Sequence, residues 1–113
     1  MHYEHLSYSD KEEVLVMLSS NDTELMSKAL VGIVFGTIQR KCVCDTLMAH
    51  VRHPSFWVAK NAIVGLEELV LFNPSIDVGP IIQCLMTVDE TDQLDHAKYS
   101  IKGILEISKK RDN

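Results

Sequence analysis

Apolar positions in this chain fall into six runs separated by short polar or proline-containing breaks. The first run carries Val14, Leu15, Met17 and Leu18, behind Ser9 and Glu12 at capping-box spacing. Ser19-Ser20-Asn21-Asp22 interrupts it, and Asp22 or Asn21 is placed to cap the second run of Leu25, Met26, Ala29, Leu30, Ile33 and Val34. Gly36 weakens the end of that run. A third run, near Cys42 to Arg52, stops at His53-Pro54, because a residue before proline avoids the helical region. Ser55 is a cap candidate for the fourth, which ends at Asn73-Pro74, where asparagine can turn left-handed and proline blocks continuation. Asp77 is placed to cap a fifth through Ile81, Ile82 and Leu85. After the polar loop Thr87-Val88-Asp89-Glu90-Thr91-Asp92, a sixth runs from about Asp92 to Lys109. Only three prolines and five glycines punctuate 113 residues, so each run predicts a helix rather than a strand.

The fourth run is apolar on most of its circumference. On a helical wheel Val58, Ala62, Gly65, Leu66, Leu69 and Phe72 share one broad face, with Phe56, Ile63 and Val70 beside it. Lys60, Asn61, Glu67 and Glu68 leave a narrow polar strip. Such a helix is expected in the middle of the molecule, covered by its own partner and by a neighbour on each side. Trp57, Val64 and Leu71, spaced by seven, lie inside the strip. Trp57 therefore reads either as a partly exposed anchor or as core beneath a neighbour, since tryptophan is mostly buried on average.

Three segments repeat a common pattern: a small residue, an aliphatic, any residue, glycine, an aliphatic. They are Ala29 to Ile33, Ala62 to Leu66 and Ser100 to Ile104. Gly32 and Gly65 are 33 residues apart and Gly65 and Gly103 are 38, the extra length fitting a longer loop near Thr87–Thr91. A period of this size built from helix pairs is the mark of an α-solenoid, in which one pair cannot bury its apolar stripe alone. The expectation is a single all-α domain over 1–113: three stacked antiparallel helix pairs, at about 9–40, 41–73 and 77–110, forming a short right-handed solenoid. Glycines in register suggest close backbone approach between helices. Alignment on them makes Glu24, Trp57 and Asp95 equivalent, then Ser27, Lys60 and Lys98, then Lys28, Asn61 and Tyr99, as one continuous surface.

Val58 to Leu69 resembles the second helix of a HEAT-like repeat of the short lyase-associated type. Val58, Ala62, Leu66 and Leu69 match that pattern; Ala59 stands where arginine is usual and Gly65 where alanine is common. The first and third copies match less well, His96 replacing the valine. The resemblance spans most of residues 10–110 and implies a scaffold whose second helices line a concave face. Repeats of this kind serve many partners, so the fold alone leaves function open.

Charge narrows the partner class. The net charge is −5, but residues 1–97 hold 14 acids against 6 Lys and Arg, while residues 98–113 hold 2 against 5. A nucleic-acid binder needs a basic footprint, which only the C-terminal end offers. An acidic body suits a basic protein partner. Asp89, Glu90, Asp92 and Asp95 place four acids in seven residues; helix capping accounts for Asp92 and Asp95 but not for all four.

Other chemistry is thin. Cys42, Cys44, His50 and His53 suggest zinc, but residues two apart on a helix diverge by about 200°, and the Cys-x2-Cys spacing is absent. Cys84, between Ile82 and Leu85, reads as core. No nucleophile elbow, phosphate loop or dinucleotide fingerprint occurs, so no catalytic residue, cofactor or metal is expected. No stretch approaches the roughly 18 apolar residues of a membrane span, and the N-terminal residues have no signal-peptide pattern; a cytoplasmic protein with reduced thiols is expected.

The expected function is a non-catalytic binding protein, with Trp57, Asn61, Glu67, Glu68, Asp89, Glu90, Asp92, Asp95 and Tyr99 contacting the partner. The chain also resembles small, acidic, helical immunity proteins of bacterial toxin systems. That resemblance implies blockade of a basic toxin, often a nuclease, by steric and electrostatic occlusion. The alternative is a regulatory or assembly subunit of an enzyme complex.

Overall fold

The computed structural model describes residues 9–73, 75–88 and 91–111, with the side chains of 91–94, 96 and 111 outside that description. Six α-helices follow one another: α1 Lys11–Leu18, α2 Thr23–Gly32, α3 Arg40–Met48, α4 Phe56–Phe72, α5 Gly79–Met86 and α6 Thr91–Arg111. There is no strand among the described residues. The radius of gyration is 13.3 Å, which matches the roughly 13 Å expected of a compact domain this long.

Local chemistry explains most boundaries. Asp10, not Ser9, caps α1: its Oδ1 accepts the amides of Glu12 at 3.0 Å and Glu13 at 3.3 Å. Ser9 Oγ instead accepts the Thr37 N–H at 3.1 Å, tying the entry of α1 to the loop before α3. Asn21 takes a left-handed turn, φ 60°, and Asp22 then caps α2 through the amides of Glu24 and Leu25. α2 ends at Gly32 and tightens into a 3₁₀ turn over Ile33–Phe35, where a continuous helix was expected. α3 is set earlier than its apolar run implies, at Arg40–Met48 rather than near Cys42 to Arg52, and its end tightens as the His50 N–H bonds the Leu47 carbonyl at 3.0 Å. Ser55 stands at the N-cap of α4 without a side-chain cap; its own N–H donates to His53 Nδ1 at 3.0 Å. Asn73 is extended rather than left-handed, φ −131°, and ends α4 by donating its side-chain amide to the Leu69 carbonyl at 2.7 Å. Asp77 Oδ1 accepts the Gly79 N–H at 3.0 Å, with Pro80 in the first turn of α5.

Arg40 fixes the connection between α2 and α3. Its guanidinium donates to the carbonyls of Val34 at 2.8 Å, Gly36 at 2.8 Å and Ile38 at 2.6 Å. Those carbonyls belong to a helix end and a loop, where no intrahelical donor is available. One planar fork satisfies all three.

α4 is the central helix. It packs most extensively against α6 and α2, and also against α3; α1 pairs with α2, α5 with α6, and α3 touches α5. Val58, Ala59, Ala62, Ile63, Leu66, Leu69 and Val70 are buried, as expected of a helix covered on several sides. Phe72 departs from the wheel reading. It is 59% exposed as the last residue of α4, and meets Phe35 edge-on at 5.7 Å.

The glycines do different jobs. A Cβ on Gly65 would come 2.9 Å from Leu47 Cδ2 of α3 and 3.5 Å from Val34 Cγ2, so Gly65 admits a buried leucine from its own hairpin. A Cβ on Gly103 would collide with the carboxylate of Glu67, so Gly103 admits a side chain of α4.

Candidate docking surface on α4 and α6

The polar strip of α4 is the exposed one. Trp57, in its first turn, is 48% exposed, and Leu71 two heptads on is also exposed; Val64 between them is half-buried. The Trp57 ring meets Phe56 edge-on at 5.3 Å, and Lys60 Nζ lies 5.0 Å from its centroid. A cation over one ring face and an aromatic against its edge restrict the indole while leaving part of it in solvent. Of the two readings of Trp57, partial exposure is the one observed.

About three turns on from Trp57, Glu67 and Glu68 are half-buried. Burial pushes the Glu67 carboxyl above the usual carboxylate range. Burial does the same to Glu68, and the adjacent Glu67 charge adds to it. Neither carboxylate forms an ion pair among the described residues. Two partly desolvated acids thus lie on the same helix as the exposed tryptophan, about 15 Å along it, with no ion-pair partner among the described residues. Asn61 is half-buried there too, and its Nδ2 is buried without a hydrogen-bond partner among the described residues.

α6 adds Asp95 and Tyr99, both exposed, Tyr99 at 76%. Tyr99 stands one helical turn before Gly103, hence on the side of α6 that receives Glu67. Asp89 and Glu90 lie outside the described residues, as does the Asp92 side chain, although Asp92 is in the first turn of α6.

Two expectations for this surface change. Ser27 is fully buried, with Oγ unpartnered among the described residues, and breaks the expected row with Lys60 and Lys98. It lies seven residues before Val34, which faces Gly65 of α4, so Ser27 shares the inward face of α2. The described ridge is also charge-balanced: Glu24, Glu67, Glu68 and Asp95 against Lys28, Lys60, Lys98 and Lys102. Glu24 and Lys28 already pair at 3.4 Å. Of the acidic cluster read from the sequence, Asp95 alone has a described side chain on this ridge.

Sequence reasoning missed Phe35, which is 49% exposed and, with Leu71 and Phe72, extends the apolar surface at the ends of α2 and α4. The signal was weak, because Phe35 lies beyond the glycine-marked segment, in the 3₁₀ turn.

Elsewhere the chemistry is quiet. Cys44 is buried and Cys84 half-buried, and burial raises both thiol pKa values, away from thiolate reactivity. The Cys84 thiol donates to the Met48 carbonyl at 3.6 Å. His50 and His53 stack at 6.3 Å, and burial first, then His50, lowers the His53 pKa. Among the described residues no group of three or more His, Cys, Asp or Glu converges as a metal site, and no helix is long and apolar enough to cross a membrane. No family model matches the chain, and no match was found among curated proteins or solved structures.

Proposed function

We propose that this chain is a non-catalytic protein-binding module whose α4–α6 ridge docks a protein with a basic contact surface. The observation that carries the reading is the Trp57–Glu67–Glu68 group: a held, half-exposed indole followed by two half-buried carboxylates that have no ion-pair partner among the described residues. Aromatic anchors beside desolvated charge are what protein interfaces concentrate their binding energy in. We take the helix pairs to stack as a short right-handed α-solenoid of the HEAT-like kind. Support comes from α4 lying between α2 and α6, with α3 against α5 behind them.

The specific role we put forward is immunity or inhibition. The module would occlude the active site of a basic toxin in the cytoplasm, with Asp89, Glu90, Asp92 and Asp95 steering the encounter and Trp57 and Tyr99 anchoring it. A regulatory or assembly subunit is the second reading. The balanced charge of the described ridge favours it, since pure electrostatic blockade would not need four lysines there.

Affinity capture from the native host, followed by binding and activity assays on the captured protein, tests both. The expected result is a basic protein whose affinity falls at least tenfold with Trp57→Ala and with Glu67→Gln/Glu68→Gln together. Inhibition of its activity supports immunity; binding without inhibition supports the subunit role. A partner whose affinity ignores both variants removes the ridge from the account.

A further inference from the structure

We propose that this protein also associates with itself head to tail, the first hairpin of one copy seating on the outer face of α6 of the next. α2 and α6 both pack on α4, where Gly65 faces Val34 and Leu47 while Glu67, two residues on and so about 200° round the helix, faces Gly103 of α6; α1 and α2 are thus taken as one end of the molecule and α6 as the other. Both ends show apolar side chains to solvent: Leu15, Val16 and Leu25 at one, Tyr99 and Leu105 at the other. The charges around them are opposite. Asp10 to Gly32 holds five acids against two lysines, whereas Asp95 to Lys110 holds two acids against four lysines. Lys98 and Lys102 flank Tyr99 on α6, and the three, with Asp95, line an open surface concavity of about 350 Å³. Glu12 and Glu13 flank Leu15 and Val16 on α1.

This pattern selects the geometry. Pairing about a two-fold axis would set acid against acid or lysine against lysine, which like-charge repulsion disfavours. Head-to-tail contact sets acid against lysine around an apolar centre, and it repeats from copy to copy. The contact shares Tyr99, Lys98 and Lys102 with the docking ridge but uses neither Trp57 nor the Glu67–Glu68 pair, so variants at Trp57 and Glu67–Glu68 distinguish the two.

Sedimentation equilibrium on the full chain tests it. The mass is expected to rise above the 12.8 kDa monomer with protein concentration at an ionic strength of about 0.01 M, where charges act over about 30 Å, and to return to monomer at about 1 M. Lys98→Glu/Lys102→Glu, on an exposed face of a long helix, is expected to stay monomeric. Glu12→Lys/Glu13→Lys is expected to do so too, circular dichroism confirming that α1 still forms. An equimolar mixture of the two variants restores opposite charges at every contact and is expected to regain the wild-type mass. A wild-type chain that is monomeric at every concentration overturns the proposal. So does association that the Lys98/Lys102 reversal leaves unchanged, or a mixture of two folded variants that stays monomeric.

Discussion

The carboxylate of Glu67, on α4, occupies the space that Gly103 leaves open on α6. A glycine inside a helix costs about 1 kcal/mol relative to alanine, so this position gives up helix stability to seat a half-buried acid that has no ion-pair partner among the described residues.

Gly103→Ala is therefore expected to stabilise the fold by up to about 1 kcal/mol, because the long Glu67 side chain can swing into solvent. Urea denaturation measures the gain. The Glu67 carboxyl pKa, followed by NMR, is expected to fall back toward its ordinary value in the same variant. A loss of more than about 1 kcal/mol would mean that Glu67 is held and cannot leave.

Glu67 and Glu68 have folded-state pKa values raised above the reference 4.5. A raised carboxylate contributes stability that is present below the unfolded pKa and is lost as pH rises through the folded one. Stability should thus decline as these two groups ionise above about pH 4.5. Glu67→Gln/Glu68→Gln is expected to remove that decline, raising the melting temperature at pH 7 relative to wild type with no gain at pH 4. Equal pH profiles for the two proteins would show that neither carboxyl is perturbed.

Arg40 is expected to tolerate no conservative replacement. Lysine keeps the charge but cannot reach the Val34, Gly36 and Ile38 carbonyls together as the guanidinium does. Arg40→Lys should lose about 2 kcal/mol in urea denaturation, close to Arg40→Ala, as carbonyls of a helix end lose a charged donor. A lysine variant within a few tenths of wild type would reduce Arg40 to a surface charge.

Local features were legible in the sequence and relational ones were not. Asp22 acts on its own neighbours, so spacing sufficed to place it; α3, by contrast, ends at Met48, before the His53-Pro54 stop is reached. Ser9 and Asp10 are adjacent cap candidates, and choosing between them needed Thr37, 28 residues away, which claims the serine. The wheel gave α4 its breadth and its exposed seam of Trp57 and Leu71. It could not foresee that Phe72 outruns its cover, nor that Ser27 turns inward toward α4. Arg40 carried no sequence signal, since its partners are backbone carbonyls that any residue supplies. The candidate site was half legible: residue types identified Glu67 and Glu68, but the seat of the Glu67 carboxylate depends on Gly103 of another helix.

The central claim is that the exposed seam of α4 touches another protein. Site-specific photo-crosslinking in the native host tests it most directly, with the reactive group at position 57 and, as control, at the exposed Gln83 of α5. The account predicts a discrete adduct with a basic protein from position 57 and none from position 83. Adducts from position 83 alone would contradict it.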